Sequence, residues 1–195
     1  MPNQLKNTRS IEQYIGINGS TNNHFSFNTQ LALVQVKDQP LFLNQLGDGK
    51  AFDILYTNMN ALKLSGELNY TFQEKFSLLA SASYSNFSKL DAVTDAFGLI
   101  PLEATAGLIW KPIGDLQVKA DLFYRSGSLY RDSFSLTSRR LSSAVDMNLG
   151  VEFGLMPKLN LWLQMNNLFN NTYQRWNQYP VFGFNVMGGV VYSFQ

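Results

Sequence analysis

Hydrophobic and polar residues alternate over most of this chain, most cleanly from Leu62 to Phe72. Leu62, Leu64, Leu68, Tyr70 and Phe72 occupy one parity there, and Lys63, Ser65, Glu67, Asn69 and Thr71 the other. A period of two belongs to an extended strand with one apolar and one polar face. Gln73-Glu74-Lys75 then turns the chain, and Phe76, Leu78, Ala80, Ala82 and Tyr84 return against Ser77, Ser81, Ser83 and Ser85. The pattern recurs in Leu102, Ala104, Ala106, Leu108 and Trp110, and after Lys111-Pro112-Ile113-Gly114-Asp115 in Leu116, Val118, Ala120, Leu122 and Tyr124. It recurs again in Val145, Met147, Leu149, Val151, Phe153 and Leu155, then, past Met156-Pro157-Lys158, in Leu159, Leu161, Leu163 and Met165. A last strand carries Phe182, Phe184, Val186, Gly188, Val190, Tyr192 and Phe194, with Gly183, Asn185, Gly189 and Ser193 opposed.

The beginning of the chain reads the same way. Residues 1–10 are a polar stretch, and Ile11, Ile15 and Ile17 share one face of a strand from Ile11 to Ser20. Thr21-Asn22-Asn23-His24 is an Asn-rich turn, after which Phe25, Phe27, Leu31 and Leu33 alternate with Ser26, Asn28, Gln30 and Ala32. From Lys37 to about Asn60 the apolar flanks Leu41–Leu43 and Phe52–Tyr56 enclose Gly47-Asp48-Gly49, which predicts a hairpin extending beyond the main sheet. About nine strands result, with no linker and no second domain; the hairpins repeat in shape but not in sequence.

Three features separate a membrane barrel from a soluble sandwich, whose half-buried strands also alternate. Within these strands every Lys, Arg, Asp and Glu falls on the polar parity. The connections alternate between short ones at 21–24, 73–75, 111–115 and 156–158 and long ones at 37–60, 88–101, 126–143 and 170–180, as periplasmic turns and outer loops do. Finally, Phe25, Phe72, Phe76, Trp110 and Phe194 sit on the apolar parity beside the short turns, where an interfacial girdle belongs. A sandwich accounts only for the first feature. The pattern predicts an all-β, antiparallel up-and-down transmembrane β-barrel over residues 11–195.

Composition narrows the alternatives. Only 15% of residues are charged and 14% are aromatic, with a net charge of +1 and no cysteine. Disulfides, thiolate chemistry and most structural zinc sites are thereby excluded. The absence of a basic cluster argues against nucleic acid. No apolar run approaches the ~20 residues of a membrane helix. An odd strand count is unusual for a bacterial single-chain barrel, and Met1-Pro2-Asn3-Gln4-Leu5-Lys6 has no apolar core of a leader. The expectation is the C-terminal part of a larger barrel; the alternative is a complete eight-stranded barrel in which Ile11–Ser20 does not span.

Candidate chemistry is sparse. Lys63, Glu67, Glu103, Lys119, Asp121, Arg125, Asp146 and Glu152 point into the lumen on this reading and are expected to form a solvated, mutually paired wall. Tyr173, Arg175, Trp176 and Tyr179 form an aromatic and cationic cluster at the outer rim, a composition suited to ligand contact, against the reading of the stretch as largely a structural turn. His24, the only histidine, lies in a short turn and reads as a solvated turn residue rather than half of a Ser–His hydrolase. Asp91 and Asp95 share a loop without the dense oxygen-ligand spacing of a calcium site. No enzyme activity and no cofactor or metal are expected.

The run Asn166-Asn167-Leu168-Phe169-Asn170-Asn171-Thr172-Tyr173, a short loop with Tyr-Pro, and an alternating strand ending Val190-Val191-Tyr192-Ser193-Phe194 resemble the C-terminus of TonB-dependent outer-membrane receptors. The resemblance covers about the last thirty residues, and it departs in one place: Gln195 follows the terminal aromatic. It implies an outer-membrane location in a Gram-negative bacterium and contact with outer-membrane lipid. Tyr192 and Phe194 become the signal for the barrel-assembly machinery. It also implies energised uptake of a scarce small-molecule nutrient, such as an iron chelate, vitamin or glycan, with TonB engaged through a plug domain upstream of this segment. The competing readings are a passive porin or small plugless structural barrel and, less in keeping with His24, an outer-membrane hydrolase.

Overall fold

The computed structural model describes residues 5–21, 24–45 and 51–194. Met1–Gln4, Asn22-Asn23, the Gly47-Asp48-Gly49 tip and Gln195 lie outside the described residues. Thirteen strands occur among the described residues: β1 (Arg9–Thr21), β2 (Phe25–Asn44), β3 (Phe52–Phe72), β4 (Phe76–Ser88), β5 (Leu102–Ile113), β6 (Leu116–Arg125), β7 (Leu129–Arg131), β8 (Ser138–Arg140), β9 (Ala144–Met156), β10 (Leu159–Asn166), β11 (Gln174–Trp176), β12 (Tyr179–Pro180) and β13 (Asn185–Tyr192). Nine of them form one antiparallel sheet in the order β1-β2-β3-β4-β5-β6-β9-β10-β13, each strand beside its neighbour in sequence once the short β7–β8 and β11–β12 hairpins are set aside. β1 and β13 are its two edges and do not pair with each other.

Register decides which residues share a face, because a slip of one residue would move a whole strand to the other side. Ile15, Leu31, Leu64, Tyr84 and Leu102 stand in one row across β1 to β5. Ala120, Leu149, Met165 and Val186 make a comparable row from β6 to β13. The apolar parity of all nine strands therefore forms one continuous surface. Ile15 keeps 73% and Leu64 49% of its surface accessible. A contiguous apolar surface of this extent marks contact with an apolar medium or partner. No helix of the described residues is long and apolar enough to cross a membrane, so any crossing falls to the strands.

The aromatic rim is real geometry. Phe72, Phe76 and Trp110 are directly opposite one another on β3, β4 and β5. The Tyr70 and Phe76 rings meet edge to face at 6.0 Å, and Tyr192 and Phe194 do so at 4.7 Å. From Phe72 to Leu62 the strand covers about 33 Å at ~3.3 Å per residue, or about 25 Å along the normal at a tilt of ~40°, the height of an outer-membrane apolar band.

Three elements differ from the sequence expectation. Residues 37–60 do extend beyond the main sheet as a hairpin, but not as a connection between strands: β2 and β3 themselves run on through them, as far as Asn44 and from Phe52. A register shift between Val36 and Gln39, with Asp38 at φ 56°, lets the ribbon continue. The extra residue flips the parity of β2, so Leu41 and Leu43 now share the charged face of β3 while Phe42 sits with Ile54 on the other. Both faces of this extension are consequently apolar, and its inner residues Leu41, Leu43 and Thr57 are buried. Second, the 126–143 connection contains the β7–β8 hairpin, and the 170–180 stretch contains β11–β12. Third, the last strand is shorter than expected, with Phe182, Phe184 and Phe194 outside it.

Gly189 shows how closely the polar face of the last hairpin packs. It stands opposite Trp162, and a Cβ there would lie 2.8 Å from the indole Nε1. Gly189→Ala should destabilise the folded protein by about 1–3 kcal/mol through this overlap. Gly114→Ala, whose Cβ would meet nothing within 4 Å, should change stability by less than about 0.5 kcal/mol. Urea unfolding of both variants in detergent micelles measures the difference.

Candidate outer-loop cleft

Three connections converge on the apolar ribbon made by the far ends of β2 and β3. The first is residues 89–101. Asp91 accepts hydrogen bonds from the Thr57 hydroxyl at 2.9 Å, the Asn58 backbone N–H at 2.8 Å and the Asn58 amide at 2.7 Å. Asn58 in turn accepts from the Asp38 N–H at 3.0 Å, so one asparagine ties the β2 irregularity to the loop. These donors, the Asn58 N–H foremost, hold the Asp91 carboxyl below its ordinary value. The same loop places Phe97, buried, beside Leu129 at the start of β7.

The second connection carries β7 and β8. The Arg131 guanidinium donates twice to the Asn44 carbonyl, from Nε at 3.2 Å and from Nη2 at 2.7 Å. Asp132 closes the hairpin by accepting from the Phe134 and Ser135 N–H groups, and these, Ser135 first, lower its carboxyl too. The third connection holds β11 and β12. Asn177 between them donates to the Asn44 side-chain oxygen at 2.9 Å. Asn44, fully buried at the end of β2, thus joins the second and third connections to the ribbon.

What the convergence leaves open is a cleft of about 450 Å³ lined by Phe42, Phe52, Ile54, Trp176 and Tyr179. Phe52 and Tyr179 face each other with ring centres 6.3 Å apart. Trp176 packs against Gly98, which holds a left-handed φ of 75° that disfavours any side chain. Hydrophobic and aromatic walls with a polar support behind them are the usual composition of a small-molecule site.

The four rim residues expected to act together are divided. Trp176 and Tyr179 line the cleft, Arg175 is exposed and does not, and Tyr173 is buried below it. The Tyr173 hydroxyl donates to Asp146 Oδ2 at 3.2 Å, and its ring meets Phe123 edge-on at 5.6 Å. Burial first, and the Asp146 charge second, push the Tyr173 phenol above its ordinary value. Tyr173 is a support of the loop rather than a surface for ligand. Phe42, Phe52 and Ile54 were not among the expected contacts, because their place depends on the register flip at Lys37-Asp38. The only sequence signal was their apolar character on both parities.

The charged face also departs from expectation. Lys63, Glu67, Glu103, Lys119, Asp121, Arg125, Asp146 and Glu152 do share that face, but they are not a mutually paired wall. Ion pairs among the described residues join Lys6 to Asp38 and Arg139 to Asp132, none of the eight. Cross-strand register is the reason. Lys63 stands opposite Ala32 and Ser85, Glu67 opposite Asn28 and Ser81, and Asp121 opposite Gly107 and Asn148. Glu103 and Arg125 are opposite each other without bonding. Glu152 accepts from Asn160 at 3.3 Å.

Of the minor candidates, His24 Nδ1 lies 2.9 Å from the Thr71 carbonyl at the turn, with no serine on it. Asp91 and Asp95 take separate partners, Asp95 accepting from the Ser138 hydroxyl. Among the described residues no group of three or more His, Cys, Asp or Glu could hold a metal ion.

No protein-family model matches the sequence, and comparison with characterised proteins finds no match. Solved structures do match. The ferripyoverdine receptor of the outer membrane of Pseudomonas aeruginosa superposes with a TM-score of 0.75 at 12% identity, covering 96% of this chain and 27% of the receptor. The siderophore receptor PirA from Acinetobacter baumannii gives 0.73 at 12%, covering 96% and 32%. The FrpB iron transporter from Neisseria meningitidis gives 0.70 at 18%, covering 96% and 31%. The nine-stranded antiparallel sheet is thus similar in fold to part of these proteins, and the chain spans about three tenths of their length.

Asp91 provides a pH test of the loop anchoring. Its carboxyl is lowered in the folded state, so its contribution is complete above the ordinary carboxylate value of 3.8 and is lost as pH falls through the lower folded value. Pepsin should therefore cut the 89–101 connection only toward the acid end of its range. Asp91→Asn should be cut throughout, pH 5 included.

Proposed function

We propose that this chain is the C-terminal barrel portion of a TonB-dependent outer-membrane receptor that takes up a scarce nutrient. The observation carrying the proposal is the unbroken apolar surface kept in register across nine strands, with the long connections gathered at one end over an aromatic cleft. In this reading the apolar face meets lipid and the charged face lines the lumen. The outer edge of β1 and that of β13 are left for strands from the rest of a longer chain. Unpaired backbone groups cost several kcal/mol each in hydrocarbon, which is why further strands are required. A barrel of around twenty strands would be wide enough to need a plug, and the unpaired lumen charges Lys63, Glu67 and Asp121 would meet its polar surface.

The cleft would hold the apolar or aromatic part of the nutrient, an iron chelate or vitamin suiting it better than a glycan without ring-face contacts. Tyr192 and Phe194 would serve the barrel-assembly machinery. The proposal makes the protein a transporter without catalysis.

Three measurements test this reading. Leu68 stands on the apolar face near the middle of the Leu62–Phe72 band of β3, opposite Phe27 and Ala80, while Asn69 stands on the charged face. Leu68→Arg should destabilise the bilayer-embedded protein by about 2–4 kcal/mol and Asn69→Arg much less; equal costs would remove the membrane assignment. The coding sequence upstream should continue in frame through further alternating strands to a plug domain, a TonB-contacting segment and a leader. In cells carrying the whole gene, Trp176→Ala with Tyr179→Ala should raise the half-saturating nutrient concentration tenfold or more, at about 1–2 kcal/mol per lost ring contact. A stop and a leader directly before this segment would leave a small passive barrel as the better account.

A further inference from the structure

The apolar face is not uniform along its height, and its upper end carries a pattern that the transport reading does not use. Two rows cross β1 to β4 there. Gln13, Leu33, Leu62 and Asn86 are in register, and next above them Ile11, Gln35, Asn60 and Ser88. One step further, Arg9 on β1 stands directly opposite Lys37 on β2. Like charges placed opposite each other across an antiparallel pair repel. Both are exposed, and neither forms an ion pair among the described residues. Lys89, just past β4, is a third exposed cation at this end of the sheet and, unlike Arg9 and Lys37, lines a groove there.

Between these rows lies a groove of about 350 Å³. Ile11, Leu33 and Leu62 form its greasy floor, and Gln35, Asn60 and Lys89 its polar upper edge. The acidic side chains nearby are already engaged. Asp38 is paired with Lys6 at 3.3 Å, and Asp91 is taken up by Thr57 and Asn58. An uncompensated cationic corner over an apolar channel is complementary to one kind of occupant: an amphiphile with an acyl chain and an anionic head.

We propose that this groove is a docking site for a phosphate-bearing lipid of the outer leaflet. The chain lies along Ile11, Leu33 and Leu62, and the phosphate sits between Arg9, Lys37 and Lys89. The Gln35 and Asn60 amides donate to the ester and headgroup oxygens. The bound phosphate relieves the Arg9–Lys37 repulsion, so the lipid also fastens β1 to β2. A second copy of this chain would bring the same three cations and be repelled. A further strand beside β1 would extend the groove in the plane of the sheet rather than cover it. The inference rests on the membrane reading of the apolar face.

The experiment uses the full-length protein in detergent micelles and native mass spectrometry of lipid adducts. The probes are phosphatidic acid, phosphatidylcholine of the same chains and inorganic phosphate. Phosphatidic acid should be retained in preference to phosphatidylcholine, and inorganic phosphate should not displace it. Each neutralisation among Arg9→Gln, Lys37→Gln and Lys89→Gln should weaken retention roughly fivefold, and all three together on the order of a hundredfold. Lys63→Gln with Lys119→Gln, on the charged face, should leave it unchanged. Equal retention of the two lipids, displacement by inorganic phosphate, or an equal loss from the Lys63 and Lys119 pair would overturn the site. A bimane on Leu64→Cys, read against brominated acyl chains in vesicles, separates the two layers of the argument. Quenching without lipid preference overturns the groove and leaves the membrane reading standing; no quenching overturns both.

Discussion

Backbone pairing under a fixed parity is the constraint on which the rest of this molecule depends. A strand that is apolar on one side and charged on the other tolerates no slip, because one residue of shift would turn Glu67 or Asp121 onto the apolar surface. The irregularities obey this. Register shifts fall between Val36 and Gln39, between Trp110 and Ile113, and between Leu159 and Asn160. The first lies within β2, beyond Leu33, and the other two lie near strand ends; all fall outside the rows from Leu62 to Phe72. Within those rows no ladder of the nine-stranded sheet shifts register. Bulges re-aim side chains, and here they are confined to where the parity no longer matters.

Beyond the band the same device becomes useful. The extra residue at Lys37-Asp38 makes both faces of the β2–β3 ribbon apolar, and a ribbon greasy on both sides cannot stand free in water. It is covered on one side, where Leu41 and Thr57 are almost wholly buried, and half covered on the other by Trp176 and Tyr179. The polar ties at Asn44, Asn58 and Asp91 then fix how the connections lie on it. Burial supplies the attraction, and the hydrogen bonds supply the position, as expected when polar groups are buried only with partners.

Sequence periodicity made the nine-stranded sheet legible because each strand is apolar on one face and polar on the other, so each residue records its own side. The cleft was legible only in part. Trp176 and Tyr179 stand out by composition, whereas Phe42, Phe52 and Ile54 depend on a bulge that carries no glycine to announce it. Tyr173 looked like a rim aromatic because nothing local links it to Asp146, 27 residues earlier in the chain. The β7–β8 and β11–β12 hairpins are two or three residues per strand, too short for any period to register, and they exist because Asn44 and Arg131 hold them against the ribbon.

The charged face raises the remaining physical question, which is why its charges stay apart. Asp146 is the sharpest instance. It is buried, one carboxylate oxygen accepts from Tyr173, and the other has no partner among the described residues. An unsatisfied charged oxygen in such a place is costly, and a wall built for its own stability would have paired it, or paired Glu103 with the Arg125 opposite. Glu103 and Arg125, by contrast with the buried Asp146, keep hydrogen-bonding capacity on the accessible part of that face. Under the receptor reading that capacity belongs to whatever fills the lumen. The wall is then one half of an interface, and its apparent deficits are the complement of groups supplied from elsewhere in the protein.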